Sequence, residues 1–534
     1  MSVGDAPLLT TAEATGYRRT STHAEVCAFV RRLARGNPWV RVTSMGRSGL
    51  GQPMPVMVVS PDGAFTPRAA YRRGLLKLLV IANIHAGEVE GKEAVCMLAR
   101  DLTRKQPPKW LHGTVLILIP NYNPDGNDRI SVKNRALDLE KLDGQIGPEG
   151  GVGTRYTGRG VNLNRDYMKQ EAVETRNLSR LFGDWWPHLT VDCHTTDGSL
   201  HRYDLTYDTA HTVASVGHWE PIRWVQDRFL PALSRRLATV HRIPTFFYGN
   251  YRDQTDPSKG WETYSPLPRY GSHYRGLTGR MDVLLETYSY IPFHKRVGVM
   301  YATLRELFRL AAAKRRRIQT ITARAERAAI EGGPGAGIAY GVPMRGSDGA
   351  LRFRYPAHPL RRPVKILGWD RATLRARRLE GGRPQTWRAQ HFAIFEPTKG
   401  VDRPFAYVVP AALERRLADH NIVVERLRRP VTCEVERYVV LDLQETESPD
   451  VGTRARTETV VSVRSERVPR RLPAGTRIVR MAQPLARLAI YLLEPESDDG
   501  FARWGLLGRD VRVGREFPVA RLNDPVRLVT ARLR

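Results

Sequence analysis

An α/β fold with three layers, helix, sheet and helix, is predicted for residues 1–330, followed by a β-rich accessory domain over residues 338–534. Two patterns predict the first part. Short, near-continuous apolar runs (LLVIANI at 78–84, TVLILI at 114–119, LTVDC at 189–193, MDVLL at 281–285) have the composition of strands buried on both faces. Stretches with apolar residues at helical spacing stand between them, as expected where helices cover a sheet. A third pattern sets off the rest. Beyond EGGPGAG at 331–337, the clearest linker, short apolar runs alternate with turn clusters at the spacing of an all-β module.

Taken in order, residues 22–35 predict a first helix, with Thr22 as its cap and Gly36, Asn37 and Pro38 as its stop. Strands follow at 39–43 and 54–59, joined by the turn-rich GRSGLGQP. The strand at 78–84 runs into His85, a small-residue turn and Glu88, and a helix covers 89–103. After the strand at 114–119, NYNPDG at 121–126 is a dense turn signal, and the polar, glycine-rich 127–159 reads as a loop or lid. A helix at 171–182 precedes the strand that ends before His194. Residues 201–231 mix turns with a helix, and 249–279 are irregular and rich in tyrosine, proline and glycine. The strand at 281–285 ends in Glu286, and one basic helical connector is predicted over 296–330. In the last part, 459–463 and 485–493 read as strands.

A chain of 534 residues exceeds one ordinary core. No run reaches the eighteen or so apolar residues of a membrane span. The N-terminus lacks a basic start followed by an apolar stretch, so no signal peptide is expected; the chain reads as cytoplasmic as written, or as periplasmic or secreted if a leader has been removed. Four scattered cysteines without Cys-x-x-Cys spacing read as free thiols. The formal charge of +29 is spread over the whole chain, with only short clusters such as KRRR at 314–317, and nucleic-acid binding is not expected from it.

Three strands each end in a residue able to do chemistry: His85, His194 and Glu286. Carboxyl ends of strands in open α/β sheets are where ligands collect. With the strands adjacent, His85, Glu88 and His194 could bind one metal ion through two nitrogens and a carboxylate, leaving a position for water. Glu286 would stand beside it as a base. This is the apparatus of metal-assisted amide hydrolysis.

Five motifs in order, HAGE at 85–88, NPDG at 123–126, GVNLNRD at 160–166, DCHT at 192–195 and LLETYSY at 284–290, resemble those of the M14 family of zinc carboxypeptidases over about the first 300 residues. The resemblance implies a mixed twisted sheet and one zinc ion per chain, held by His85, Glu88 and His194, with Glu286 as general base. Asn164 and Arg165 fall where the family holds the free carboxylate of a peptide substrate. A planar guanidinium suits that task. Arg155 takes the place of the oxyanion arginine, with Arg129 and Arg135 in reserve, and the tyrosine that closes over the substrate would be Tyr274, with Tyr264 close behind and Tyr270 the third candidate. Where the family has an aspartate two residues before the Asn-Arg pair, this chain has Asn162, a weaker partner for His85. QPLARLAIYLLEPESDDG at 483–500 resembles the extra domain that follows the peptidase in some large bacterial members. Two alternatives are a zinc deacylase of the aspartoacylase and succinylglutamate desuccinylase type, and a catalytically silent peptide-binding protein, which would be expected to have lost a ligand or the base. Side-chain specificity, oligomeric state and the role of the last domain stay open.

Overall fold

The computed structural model describes residues 8–211, 219–332, 338–340, 344–345, 351–352, 364–369, 384–393, 395, 399–448, 452–453 and 455–533. Its organising element is an eight-stranded sheet of β1 (Val40–Arg47), β2 (Pro53–Val59), β3 (Leu76–Ala82), β4 (Thr114–Ile119), β5 (Leu189–Thr196), β6 (Leu205–Asp208), β7 (Thr245–Phe247) and β8 (Met281–Tyr288). The strand order is β1-β2-β4-β3-β5-β8-β6-β7. Strands β4, β3, β5 and β8 run parallel, β2 is antiparallel to both β1 and β4, and β6 is antiparallel to β8 but parallel to β7, so the sheet is mixed.

Every residue of β3, β4, β5 and β8 is buried, which is why β3 and β4 are apolar almost throughout, whereas β5 and β8 mix apolar residues with buried polar ones. Period-two geometry divides them between two cores. Leu78, Val80 and Ala82 enter one core with α1 (His23–Ala34), α2 (Glu90–Thr103) and α5 (Phe293–Ala313). Leu79 and Ile81 enter the other, with α3 (Val173–Trp185). The first helix starts as its sequence predicts: Thr22 accepts from the Glu25 N–H, and the Glu25 carboxylate accepts from the Thr22 N–H at 2.7 Å.

Several elements differ from the expectations. The helical stretch after Pro292 is two helices, α5 and α6 (Arg315–Glu331), because Lys314 leaves helical geometry at φ −101° and ψ 14°. Residues 249–279 hold a short buried helix, α4 (Gly271–Leu277). Residues 485–493 are not a strand: α7 (Ala486–Leu493) has all eight residues buried, so no polar stripe betrays its period. Glu331 ends α6, and of the predicted linker residues 333–337 lie outside the described residues.

The C-terminal region is β-rich as predicted. Strands β9 (Ala406–Val409), β10 (Glu425–Leu427), β11 (Val431–Ser448), β12 (Arg456–Leu472), β13 (Arg477–Arg480), β14 (Ala520–Leu522) and β15 (Thr530–Arg532) form an antiparallel sheet in the order β12-β11-β14-β9-β13-β10-β15. β11 and β12 make one long hairpin, here called the arm. This region is not a bead on a string. Tyr407, Leu417, Val440, Leu488 and Phe501 belong to the same buried cluster as Leu79, Ile81, Leu178 and Phe182. No helix among the described residues is long and apolar enough to cross a membrane.

Candidate active site

The site is built at the carboxyl ends of β3, β5 and β8. Past Ala82 the chain turns at Asn83, whose φ of 65° lies in the left-handed region that asparagine tolerates. Its side-chain amide donates to Asn121 Oδ1 at 2.7 Å and to Asn127 Oδ1 at 3.0 Å, which fixes the turn. His85 and Glu88 follow, drawn together as the Glu88 N–H donates to the His85 carbonyl at 2.9 Å. On the neighbouring strand His194 is the register partner of Glu286 on β8. Register partners on parallel strands project to the same face, so the β5–β8 pairing alone sets the glutamate beside the histidine.

His85 Nδ1 lies 3.0 Å from Glu88 Oε1, and His194 Nδ1 lies 2.9 Å from Glu88 Oε2. The ligand atoms offered by these three buried residues lie within 4.8 Å of one another. Both imidazoles are turned by a partner on the far nitrogen. His85 Nε2 is 3.2 Å from Asn162 Oδ1, and His194 Nε2 is 3.1 Å from Asp192 Oδ1. Asp192 in turn accepts from Arg275 Nη2 at 2.7 Å, and Arg275 also pairs with Asp282. Burial, helped by the Arg155 charge, pushes the His85 imidazolium down to about 3, so that ring is neutral and able to ligate. His194 goes the other way. Burial opposes its charge, but Asp192 and Glu88 outweigh burial and raise it well above the ordinary histidine range.

A cleft of about 350 Å³ opens over these residues and is also lined by Arg135, Arg155, Asn164, Arg165, Tyr264, Tyr270 and Glu286. Arg155 reaches to 3.3 Å from His85 Nδ1. Arg135, held in reserve by the sequence, is there too: its Nη1 donates to Glu88 Oε1 at 3.2 Å and its Nη2 to Asp197 Oδ2 at 3.2 Å. Arg129 is directed elsewhere, donating to the Gly158 carbonyl at 2.9 Å. The Arg165 guanidinium lies over the Tyr270 ring at 4.1 Å, and Asn164 Oδ1 accepts from the Gly271 N–H at 2.9 Å.

Tyr274 is not brought to the cleft. It sits on the inner side of α4, 5% exposed, with its hydroxyl 2.8 Å from His420 Nδ1 and 3.4 Å from Gln170 Nε2. The helix turned it inward, and helix and inward turn were both invisible in a stretch read as irregular. Tyr264 and Tyr270 border the cleft instead. Sequence reasoning also missed Asp192, Asp197, Tyr248 and Arg275. Asp192 had a signal, standing two residues before a ligand histidine on a strand, hence on the same face; Arg275 had none.

Two imidazoles and a carboxylate converging at the strand ends of an α/β/α sheet, with a second glutamate alongside, define a metallopeptidase. Comparisons with known proteins agree. The family model described as zinc carboxypeptidase, Peptidase_M14, matches residues 26–182. Carboxypeptidase 2 of Trichophyton rubrum is 24% identical over 515 residues, covering 92% of this chain and 85% of that protein, and the Trichophyton equinum protein of the same name is 24% identical over 518. Among solved structures, a metallo-carboxypeptidase from Burkholderia cenocepacia aligns at 16% identity and a TM-score of 0.40, over 55% of this chain and 70% of that one. A metallo-carboxypeptidase from Pseudomonas aeruginosa in complex with (2-guanidinoethylmercapto)succinic acid aligns at 15% identity and a TM-score of 0.38, over 56% and 70%. The chain is thus similar to the M14 zinc carboxypeptidases over residues 26–182 and to fungal carboxypeptidases over most of its length.

Proposed function

We propose that the protein removes the C-terminal residue of a peptide, using one zinc ion held by His85, Glu88 and His194 and Glu286 as general base. The observation that carries this is the β5–β8 register, which sets Glu286 beside His194 in the same cleft and outside the three-residue donor set. The donor set fits zinc: two Nδ1 atoms and a carboxylate converge, and each ring is fixed through its other nitrogen. When bound, zinc supplies a Lewis acid that acidifies water and polarises a carbonyl, and a positive charge that draws the buried Glu286 carboxyl toward its ionised form.

The chain's own groups do the rest. Burial, reinforced by the Glu88 charge, pushes the Glu286 carboxyl up to about 8, and in its ionised form it takes a proton from water and hands it to the departing amine. Arg155, a third exposed and facing the cleft beside His85, is placed to meet the oxyanion that develops on the scissile carbonyl. Asn164 and Arg165 hold the substrate carboxylate, with the arginine fork restrained by its stacking on Tyr270. Tyr264 and Tyr270 wall the space beside that anchor.

The purified protein is expected to carry about one zinc per chain, to lose hydrolysis on chelation and to regain it with zinc. Amidating the peptide terminus removes the partner of Arg165 and should abolish cleavage. Equal cleavage of free and amidated peptides would contradict the exopeptidase reading.

A further inference from the structure

The C-terminal region has no assigned role, and the arm formed by β11 and β12 reaches the substrate side of the cleft. We infer that this arm is part of the substrate-binding apparatus: through Thr453 and Glu458 it positions the two segments that form the carboxylate anchor. The inference rests on the reading of Asn164 and Arg165 as that anchor.

The first segment is 160–165. At the arm tip the Thr453 N–H donates to the Gly160 carbonyl at 2.8 Å, and Gly452 bridges to Val161 in antiparallel fashion. Gly160 has a φ of 79°, and a Cβ there would stand 2.3 Å from Thr453 Oγ1. Only glycine permits both the left-handed backbone and so close an approach. Immediately downstream come Asn162 against His85, then Asn164 and Arg165.

The second segment is 269–271, on the opposite wall. Glu458 of β12 accepts from Arg269 Nη1 at 2.6 Å, and Asp499 accepts from Arg269 Nε at 3.0 Å. The Arg269 guanidinium also lies 4.5 Å from the Trp504 ring. Its side chain is 8% exposed, so these bonds hold it in a site with little water. The next residue is Tyr270, on whose ring Arg165 rests, and the one after it, Gly271, donates to Asn164. Each half of the anchor is thus bonded to the C-terminal region, and the halves are bonded to each other. Among the described residues, none of the arm lines the cleft, so Thr453 and Glu458 act through the segments they hold. The alignments with the Trichophyton proteins, over 92% of this chain and 85% of theirs, extend through the arm.

The test uses the full chain, a peptide with a free terminus and its amidated form. Glu458→Gln, and Thr453→Pro, which deletes one N–H at an exposed tip, should each raise KM for the free peptide about tenfold, as small displacements of binding groups do. In both, kcat should stay within about twofold and zinc content near wild type; Thr453→Pro should keep its melting temperature, whereas Glu458→Gln, which weakens a buried ion pair, should lower it. Glu458→Asp should recover part of the loss. Folded, zinc-loaded variants with wild-type KM would overturn the inference; if Glu458→Gln does not fold, Thr453→Pro decides it. Wild-type indifference to amidation would overturn the anchor reading instead.

Discussion

Asn162 and Asp192 stand behind the two histidines proposed as metal ligands, and differ in charge. Aspartate stabilises the protonated ring and makes a more basic ligand, whereas the amide only orients it. Asn162→Asp is therefore expected to tighten zinc binding about tenfold in competition with a chromophoric chelator, and Asn162→Leu to weaken it by a similar factor. No change in either variant would remove Asn162 from the description of the site. Asp498 offers a second prediction. Burial pushes its carboxyl up to about 7 despite the Tyr491 hydroxyl it accepts from. A carboxyl with a raised folded-state value binds its proton more tightly folded than unfolded, so stability falls as pH rises from about 4 to about 7. Asp498→Asn should have the wild-type melting temperature near pH 4 and exceed it by a growing margin up to pH 7, constant above. Of the candidate site, the convergence of His194 and Glu286 was legible because both lie near the carboxyl ends of strands, where periodicity fixes direction, and that of His85 and Glu88 because they follow the end of a third strand through a short turn. Tyr274 misled because its direction depends on a helix whose apolar pattern is hidden by full burial.

That helix, α4, does more than its seven residues suggest. Its first residue donates to Asn164 and its fifth, Arg275, bridges Asp192 and Asp282, with Nη1 on the Tyr167 hydroxyl at 3.0 Å. Removing the guanidinium leaves buried Asp282 without a counter-charge and Asp192 with His194 alone. Arg275→Met should cost about 3–5 kcal/mol in urea unfolding; a loss under 1 kcal/mol would show that water or a neighbour replaces it. Elements of this kind resist reading from sequence for a common reason. α4 and α7 are buried on every side, so neither shows the polar stripe by which a helix is recognised. Strands β3, β4, β5 and β8 are buried on both faces as well, but their short lengths and turn-rich flanks gave them away. The break between α5 and α6 was missed because lysine at position 314 carries no glycine or proline signal.

Across the whole molecule, the buried cluster that joins Leu79 and Ile81 of the sheet to Tyr407, Leu488 and Phe501 makes the two regions mutually dependent. Chain residues 1–332 expressed alone would expose that apolar face and should be aggregated or loosely packed, visible as lost near-ultraviolet circular dichroism. A sharply folded, soluble fragment would show that the face closes by itself. The linker at 331–337 marked a change of composition, and composition says nothing about whether cores are shared, which is why this dependence was not legible. The central claim concerns chemistry, and one comparison tests it most directly: the kcat of Glu286→Gln against wild type, with zinc content measured in both. The account predicts full zinc occupancy and a kcat lower by a factor of about 10²–10⁴, the usual contribution of a general base. A zinc-loaded Glu286→Gln protein that turns over its peptide at the wild-type rate would contradict it.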